Sequence, residues 1–140
     1  MARTEIIMQN IAENISFARI VVTAFIAPLD PSVGEVSDIK TAVSEAVTNA
    51  IIHGYPKSGQ TGQVRMTISY EGKAITIEVA DDGVGIGDIG MARQPLFTTK
   101  EEMERSGLGF TVMESFMDSV TVASTPGVGT TVTLFKTLAS

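Results

Sequence analysis

The sequence contains no cysteine and only one histidine. Without cysteine the chain can form neither disulfide bonds nor thiolate metal sites, so a reducing cytoplasm is the expected compartment. A zinc site built from several histidines is also excluded. Disulfide-stabilised secreted proteins and multi-histidine zinc enzymes are therefore ruled out as classes.

Long apolar runs and an excess of positive charge are missing as well. No stretch of about 18 apolar residues is available for a transmembrane helix. Polar residues interrupt the start, MARTEIIMQN, where a signal peptide would need its apolar core. The net charge of -6 argues against nucleic acid, because phosphate binding requires clustered Lys and Arg. We therefore expect neither a membrane nor a nucleic acid as a direct partner.

The chain has enough apolar material for one folded domain. Of its 140 residues, 44% are hydrophobic and 19% are charged, and no repeat or low-complexity tract divides them. The patterning predicts a strand at 4–11, helices at 13–29 and 30–54, a hairpin of 63–70 and 73–81, a helix at 110–117, and a hairpin of 118–125 and 129–137. This order predicts a single α+β domain over residues 1–140, a two-layer sandwich with helices on one face of a mixed, mostly antiparallel sheet.

Apolar stripes at three- and four-residue steps predict which face of each long helix is buried. The first helix is expected to bury Phe17, Ile20, Val21, Ala24 and Phe25. The second helix is expected to bury Ile39, Val43, Ala46, Val47, Ala50 and Ile51. Gly54 is expected to close the second helix as its C-cap.

A polar stripe runs along the flank of the second helix, in EAVTNAIIHG. Glu45, Asn49 and His53 are each four residues apart, so they lie on one side of the helix. Carboxylates and amides are unfavourable wherever water is partly excluded. Either these groups only cap and solvate the helix, or they line a polar site.

Two glycine segments add to this pattern. DDGVGIG follows a strand directly, so Asp81 stands at a strand end beside Gly83 and Gly85, where it could accept the exocyclic amine of a purine. Taken alone, DDG favours a plain turn over a binding site. SGLGF places Gly107 and Gly109 at a helix start, which is either an anion-binding cradle or a glycine-rich N-cap.

The segment between the two glycine motifs has no clear periodicity. A loop of this length in a compact domain is usually functional or mobile. A lid over a nucleotide, or a surface loop without function, would account for it. Arg105, just before the second glycine motif, either neutralises phosphate charge or is solvated.

The order of these elements is more specific than any one of them: Glu-x3-Asn on a helix, then D-x-G-x-G, a long loop, G-x-G and GTT. In this order the chain resembles the GHKL (Bergerat) ATP-binding fold shared by histidine kinases and gyrase-type ATPases. The resemblance narrows to the anti-sigma-factor serine kinases of the sporulation type. It is carried by SFARI, VSEAVTNAIIHGY, ARQPLFTTK, ERSGLGFTVMESFMD and GTTV, from about Glu13 to Phe135.

The resemblance implies ATP and Mg²⁺ as cofactors, with the polar stripe facing them. Asn49 would be the single direct Mg²⁺ ligand, through its amide oxygen. Glu45, one turn earlier, would be the general base for an attacking hydroxyl. Arg105 would stabilise charge on the terminal phosphate. For His53, a helix C-terminal or loop-packing role is preferred over catalysis.

The other implied nucleotide contacts lie in the glycine motifs and the loop. Asp81 would accept the adenine amine, with Gly83 and Gly85 making room for the base and Thr130 supporting Asp81 through water. The phosphate contacts would come from Thr98, Thr99, Lys100, Gly107, Leu108 and Gly109.

The resemblance also implies protein partners. The first strand and helix contain no histidine, so autophosphorylation is not expected, and the phosphate would go to a serine of an anti-anti-sigma factor. Arg19 would contact both the sigma factor and the anti-anti-sigma factor, with Thr48 as a second contact, in a homodimer. The alternatives are a general-stress circuit, a nucleotide-gated binding module without transferase activity, and a gyrase-type ATPase fragment.

Overall fold

The computed structural model describes residues 1–57, 59–84, 96–97 and 109–139. Their elements, in chain order, are β1 (Ala2–Gln9), α1 (Glu13–Ile26), a 3₁₀ turn (Ala27–Leu29), α2 (Val33–Ile52), β2 (Gln63–Glu71), β3 (Ala74–Asp81), β4 (Leu96–Phe97), α3 (Phe110–Phe116), β5 (Ser119–Thr125) and β6 (Gly129–Thr137). The strands form one sheet in the order β1-β2-β3-β6-β5-β4, and every pairing is antiparallel.

The helices cover one face of this sheet, as the sequence predicts. Along β2 and β3 buried residues alternate with more exposed ones, and the paired register puts the buried residues of both strands on the same face. Helix α2 packs against β2, β3 and β6, α1 packs against β2, and α3 packs against β5. The predicted two-layer α+β architecture is therefore confirmed.

Helix α2 starts and packs for reasons that are visible in the sequence. Ser32 accepts a hydrogen bond from the Glu35 N–H and donates its own N–H to the Glu35 carboxylate, which forms a capping box. The predicted apolar stripe of α2 is buried at every position, from Ile39 to Ile51. The helix predicted at 30–54 therefore begins later, at Val33, because Ser32 is its N-cap.

The predicted buried stripe of α1 is wrong in part. Phe17 and Ile20 are 48% and 66% exposed, and the buried residues are Ala18, Val22 and Ile26. Apolar residues surround most of α1, so periodicity does not select one face. Helix α1 packs against both α2 and β2, and these contacts decide which of its apolar residues are buried.

The segment that the sequence analysis described as lacking periodicity contains a short strand. β4 pairs with β5, Leu96 opposite Ser124 and Phe97 opposite Ala123. Two residues are too few to show the alternation that identifies a strand. The pairing therefore depends on β5, which lies distant in sequence.

Candidate functional site

Asp81 is the last residue of β3 and lies on the helix-covered face of the sheet. The residue is only 7% exposed, and its Oδ1 accepts a hydrogen bond of 2.9 Å from the N–H of Gly83. Burial raises the pKa of Asp81 from 3.8 to about 6, although backbone N–H groups of Gly83 and Thr130 lower it in part. A carboxylate that is poorly solvated in this way favours a ligand that brings a hydrogen-bond donor.

Gly54 brings the C-terminal end of α2 into direct contact with Asp81. A Cβ at Gly54 would lie 2.5 Å from the Ala50 carbonyl oxygen and 2.8 Å from the Asp81 Cγ. The C-cap of α2 is His53, and Gly54 does not have a positive φ. The expectation that Gly54 is the C-cap is therefore wrong; the glycine is required by close packing.

Gly83, predicted to allow close approach, packs directly on this same glycine. A Cβ at Gly83 would lie 2.0 Å from the Gly54 carbonyl oxygen, and the Val84 N–H donates to that oxygen at 2.9 Å. The turn after β3 is thus joined to the end of α2. Gly83 makes a backbone contact that no larger residue could make.

Thr130 lies beside Asp81, as the resemblance implies. It is opposite Asp81 in the β3–β6 pairing and opposite Ser124 in the β5–β6 pairing, so the three residues form a row on the inner face. The Thr130 and Ser124 hydroxyl groups are 2.9 Å apart. The sequence analysis missed Ser124, whose only signal was its inward position in the alternating strand 118–125.

Gly129 also contacts this strand end. Its φ is +149°, and a Cβ there would lie 2.1 Å from the Asp81 carbonyl oxygen. The glycine of GTT is therefore needed where β6 passes the end of β3.

Glu45 and Gly109 meet at the other end of the polar stripe. Glu45 and Asn49 are half-buried and one turn apart on α2. Gly109 precedes α3 with a φ of +63°, and a Cβ there would lie 2.6 Å from the Glu45 Oε2. The positive φ favours glycine here, and any larger residue would displace the Glu45 carboxylate.

Helix α2 therefore connects two sets of predicted residues. Its Glu45 contacts Gly109, and the glycine after its end, Gly54, contacts Asp81. These two contacts are about 13 Å apart along the helix axis. Asn49 lies between them on the same helix, and His53 at the C-cap is exposed.

Seven predicted site residues lie outside the described residues. They are Gly85, Thr98, Thr99, Lys100, Arg105, Gly107 and Leu108.

The predicted partner contacts lie on the outer side of the helix layer. Arg19 lines an open groove of about 470 Å³ between α1 and α2, together with Ile20 and Lys40. Thr48 is half-buried on α2 and lies two turns beyond Lys40, on the same side of the helix. The groove residues Arg19 and Lys40 give this surface a local positive charge.

Comparison with protein families defines the class of this fold and site. Residues 8–136 match the histidine kinase-like ATPase domain. The structure is similar to the RsbU and RsbW domains of a Mycobacterium tuberculosis protein, with a TM-score of 0.70 and 19% identity, over 100% of this chain and 33% of that one. It is also similar to the catalytic domain of histidine kinase ThkA, with a TM-score of 0.51 and 16% identity, over 99% and 97% of the two chains. At these identities the structures establish the fold.

Curated relatives narrow the class further. A Bacillus licheniformis protein named anti-sigma F factor is 56% identical over 128 residues, which cover 91% of this chain and 87% of the relative. Proteins of the same name from Bacillus subtilis and Geobacillus kaustophilus are 53% and 57% identical over the same shares. The chain belongs to the histidine kinase-like ATPase domain family and, within it, to the family of the anti-sigma F factors.

Membership in this ATPase domain family implies that the protein binds ATP. In the part of the chain that the structure describes, no helix combines the length and the apolar character needed to span a membrane.

Proposed function

We propose that this protein is an anti-sigma factor that sequesters a sporulation-type sigma factor. We further propose that it is an ATP-dependent serine kinase that phosphorylates and so inactivates its anti-anti-sigma factor. Relatives named anti-sigma F factor, 53–57% identical over 91% of the chain, support the sigma-binding half. The names and the resembling motifs favour the sporulation circuit over a general-stress circuit.

The observation that carries the kinase half is the layout of α2. The helix presents a carboxylate and an amide on one flank. The glycine after its C-terminal end contacts the buried Asp81, and Glu45, about two turns before that end, contacts Gly109. Asp81 would accept the adenine amine, with Thr130 beside it. Backbone contacts at Gly54 and Gly83 leave no space for a side chain at these two positions.

The residues present fit a magnesium nucleotide. Mg²⁺ keeps several waters and takes few protein ligands, and the amide oxygen of Asn49, half-buried and one turn from Glu45, suits this requirement. When bound, the ion would neutralise phosphate charge. Asn49 is the proposed ligand.

Glu45 is the proposed general base. The serine oxygen of the substrate would form a bond to the terminal phosphorus, while the bond from that phosphorus to ADP breaks. The serine proton would pass to the Glu45 carboxylate, which Gly109 holds from one side. A carboxylate suits this role because it can take up the proton during attack.

Phosphate transfer to a partner tests the proposal. Mixing the protein with Mg-ATP and a candidate anti-anti-sigma protein should give phosphoserine on the partner, located by mass spectrometry. Glu45→Ala should reduce the transfer rate by about 10²–10⁴-fold while ATP binding is largely kept. Glu78→Ala, an exposed carboxylate on the opposite sheet face, is the matched control and should retain transfer.

Three outcomes would contradict the proposal. Phosphohistidine on His53, or no transfer to any candidate partner, would remove the serine kinase assignment. The absence of calorimetric heat with adenine nucleotides would remove the nucleotide site itself.

We also propose that the protein acts as a homodimer. Strand β1 is at one end of the sheet order, so one of its edges has no strand neighbour among the described residues. Sedimentation equilibrium should give about twice the chain mass of 14.8 kDa.

A further inference from the structure

Tyr55 occupies a central position next to the Asp81 site, although the proposed function gives it no role. It follows Gly54 directly and is only 8% exposed. Its hydroxyl donates to the Gln63 carbonyl oxygen at 2.6 Å and accepts from the Asp82 N–H at 3.1 Å. The single phenolic proton is therefore used, and the oxygen binds the residue that follows Asp81.

The aromatic ring of Tyr55 is held in place by backbone. A Cβ at Gly62 would lie 2.2 Å from the ring, so the ring lies flush against that glycine. The Gly62 N–H is itself fixed by a hydrogen bond of 2.9 Å to Asn10 Oδ1. This packing keeps the hydroxyl at one position, between the start of β2 and the end of β3.

The peptide group between Asp81 and Asp82 is held on both sides. Tyr55 binds its N–H, and on the other side the Asp81 carbonyl oxygen faces Gly129, where a Cβ would come within 2.1 Å. One residue later, the Gly83 N–H donates to the Asp81 carboxylate at 2.9 Å. The position of the Asp82 backbone therefore sets the geometry of the hydrogen bond from the Gly83 N–H to the Asp81 carboxylate.

We propose that Tyr55 is a positioning residue whose hydroxyl holds the backbone at Asp82 so that the Asp81 carboxylate is aimed at the amino group of the bound purine. This inference rests on the proposed nucleotide-binding function. Tyr55 has no part in phosphate transfer, because it follows the C-terminal end of α2, whereas Glu45 and its contact with Gly109 lie about two turns before that end.

Tyr55→Phe removes only the hydroxyl and tests this role. Loss of one hydrogen bond should raise the dissociation constant for ATP about 3- to 10-fold. The KM for ATP should rise in the same proportion, while kcat at saturating ATP stays unchanged. Tyr70→Phe is the matched control, since the Tyr70 ring packs on Phe25 with centroids 5.3 Å apart. The control should leave both parameters unchanged.

A titration separates positioning from general stability. In Tyr55→Phe the Gly83 N–H should bind the Asp81 carboxylate less well, and that bond lowers the pKa of Asp81. The titration midpoint of the Asp81 carboxyl, followed by NMR without nucleotide, should therefore move upward. Loss of a tyrosine hydroxyl elsewhere, as in Tyr70→Phe, should not move this midpoint.

Two results would overturn the inference. One is an Asp81 midpoint and an ATP affinity in Tyr55→Phe equal to those of Tyr70→Phe. The other, which needs no variant, is an Asp82 amide in the unsubstituted protein that exchanges with solvent as fast as an unbonded amide. The titration and the exchange need no nucleotide, so they stay decisive if ATP binding itself fails.

Discussion

At the scale of the single residue, Asp81 carries a charge where ionisation is disfavoured. Its pKa in the folded protein is about 6, against 3.8 for the ordinary group. Between pH 3.8 and about pH 6, Asp81 therefore binds its proton more tightly in the folded state than in the unfolded state. The stabilising contribution of Asp81 is therefore fully present below about pH 4 and is lost as pH rises through 6. Across this range the free energy of unfolding falls by about 3 kcal/mol.

This burial is explained if the ionised form is needed for binding. An ionised carboxylate accepts the amine of adenine, whereas the protonated form presents a competing donor. We predict that Asp81→Asn raises the free energy of unfolding at pH 7 by about 1–3 kcal/mol, because the buried charge is removed. It should also weaken ATP binding. Urea unfolding and calorimetry measure the two effects, and Asp30→Asn, at an exposed position, is the control.

The pH dependence of binding follows from the same group. Below about pH 6 the affinity for ATP should fall by up to about tenfold per pH unit as Asp81 is protonated. The protonation of ATP itself affects the wild-type protein and Asp81→Asn equally. The ratio of their ATP affinities therefore isolates the effect of Asp81 protonation. A ratio that stays constant between pH 5 and pH 8 would exclude Asp81 as the base-reading residue.

At the scale of the element, α2 is the component on which the site is built. Its start is fixed by the Ser32–Glu35 capping box, its buried face by regular apolar spacing, and its end by close contact with the turn after β3. The glycines near the two ends of the helix therefore differ in the space available for a side chain. Gly34 near the start has only the Ser32 Oγ at 4.0 Å, whereas Gly54 after the end is closely packed.

We predict opposite effects of the same substitution at these two positions. Gly34→Ala should stabilise the protein by about 0.4–1 kcal/mol, because it lowers the entropy of the unfolded chain without a clash. Gly54→Ala should destabilise it by about 1–3 kcal/mol and weaken ATP binding, because the added methyl group meets Asp81 and Ala50. Thermal unfolding with and without ATP measures both. Equal changes in Tm for the two variants would show that the close contact at Gly54 does not exclude a methyl group.

At the scale of the whole molecule, overall charge and local charge differ. The chain carries a net charge of -6, which would attract a basic partner such as a sigma factor. The groove between α1 and α2 instead carries Arg19 and Lys40 beside the exposed Ile20. A partner segment that combines carboxylates with apolar side chains fits this groove.

If the sigma factor and the anti-anti-sigma factor share this groove, one substitution should weaken both complexes. Arg19→Ala is expected to reduce both affinities, by an amount that shrinks as salt concentration rises, and to leave ATP affinity unchanged. Arg3→Ala, on β1 and paired with Glu5, is the control. Competition binding with both partners measures the effect. Loss of only one complex would mean that the two partners use different surfaces.

Much of this protein follows from local sequence rules. Helix α2, both hairpins and α3 are visible as apolar periodicity and turn residues, because such elements form through contacts between near neighbours. The sequence also placed Asp81 at a strand end and Glu45 and Asn49 on one flank of α2. The order of these motifs, more than any single one, indicated the fold.

Only the tertiary structure decided which faces and backbones come together. It selected the face of α1 and paired β4 with β5. It also showed that Gly54 and Gly129 contact Asp81, and that Ser124 contacts the neighbouring Thr130. The contacts of Gly54 and Gly129 with Asp81 leave no periodic signal, because each joins residues distant in the chain at close packing distance. Close packing between elements is a property of the assembled fold, and a local pattern of polar and apolar residues does not encode it.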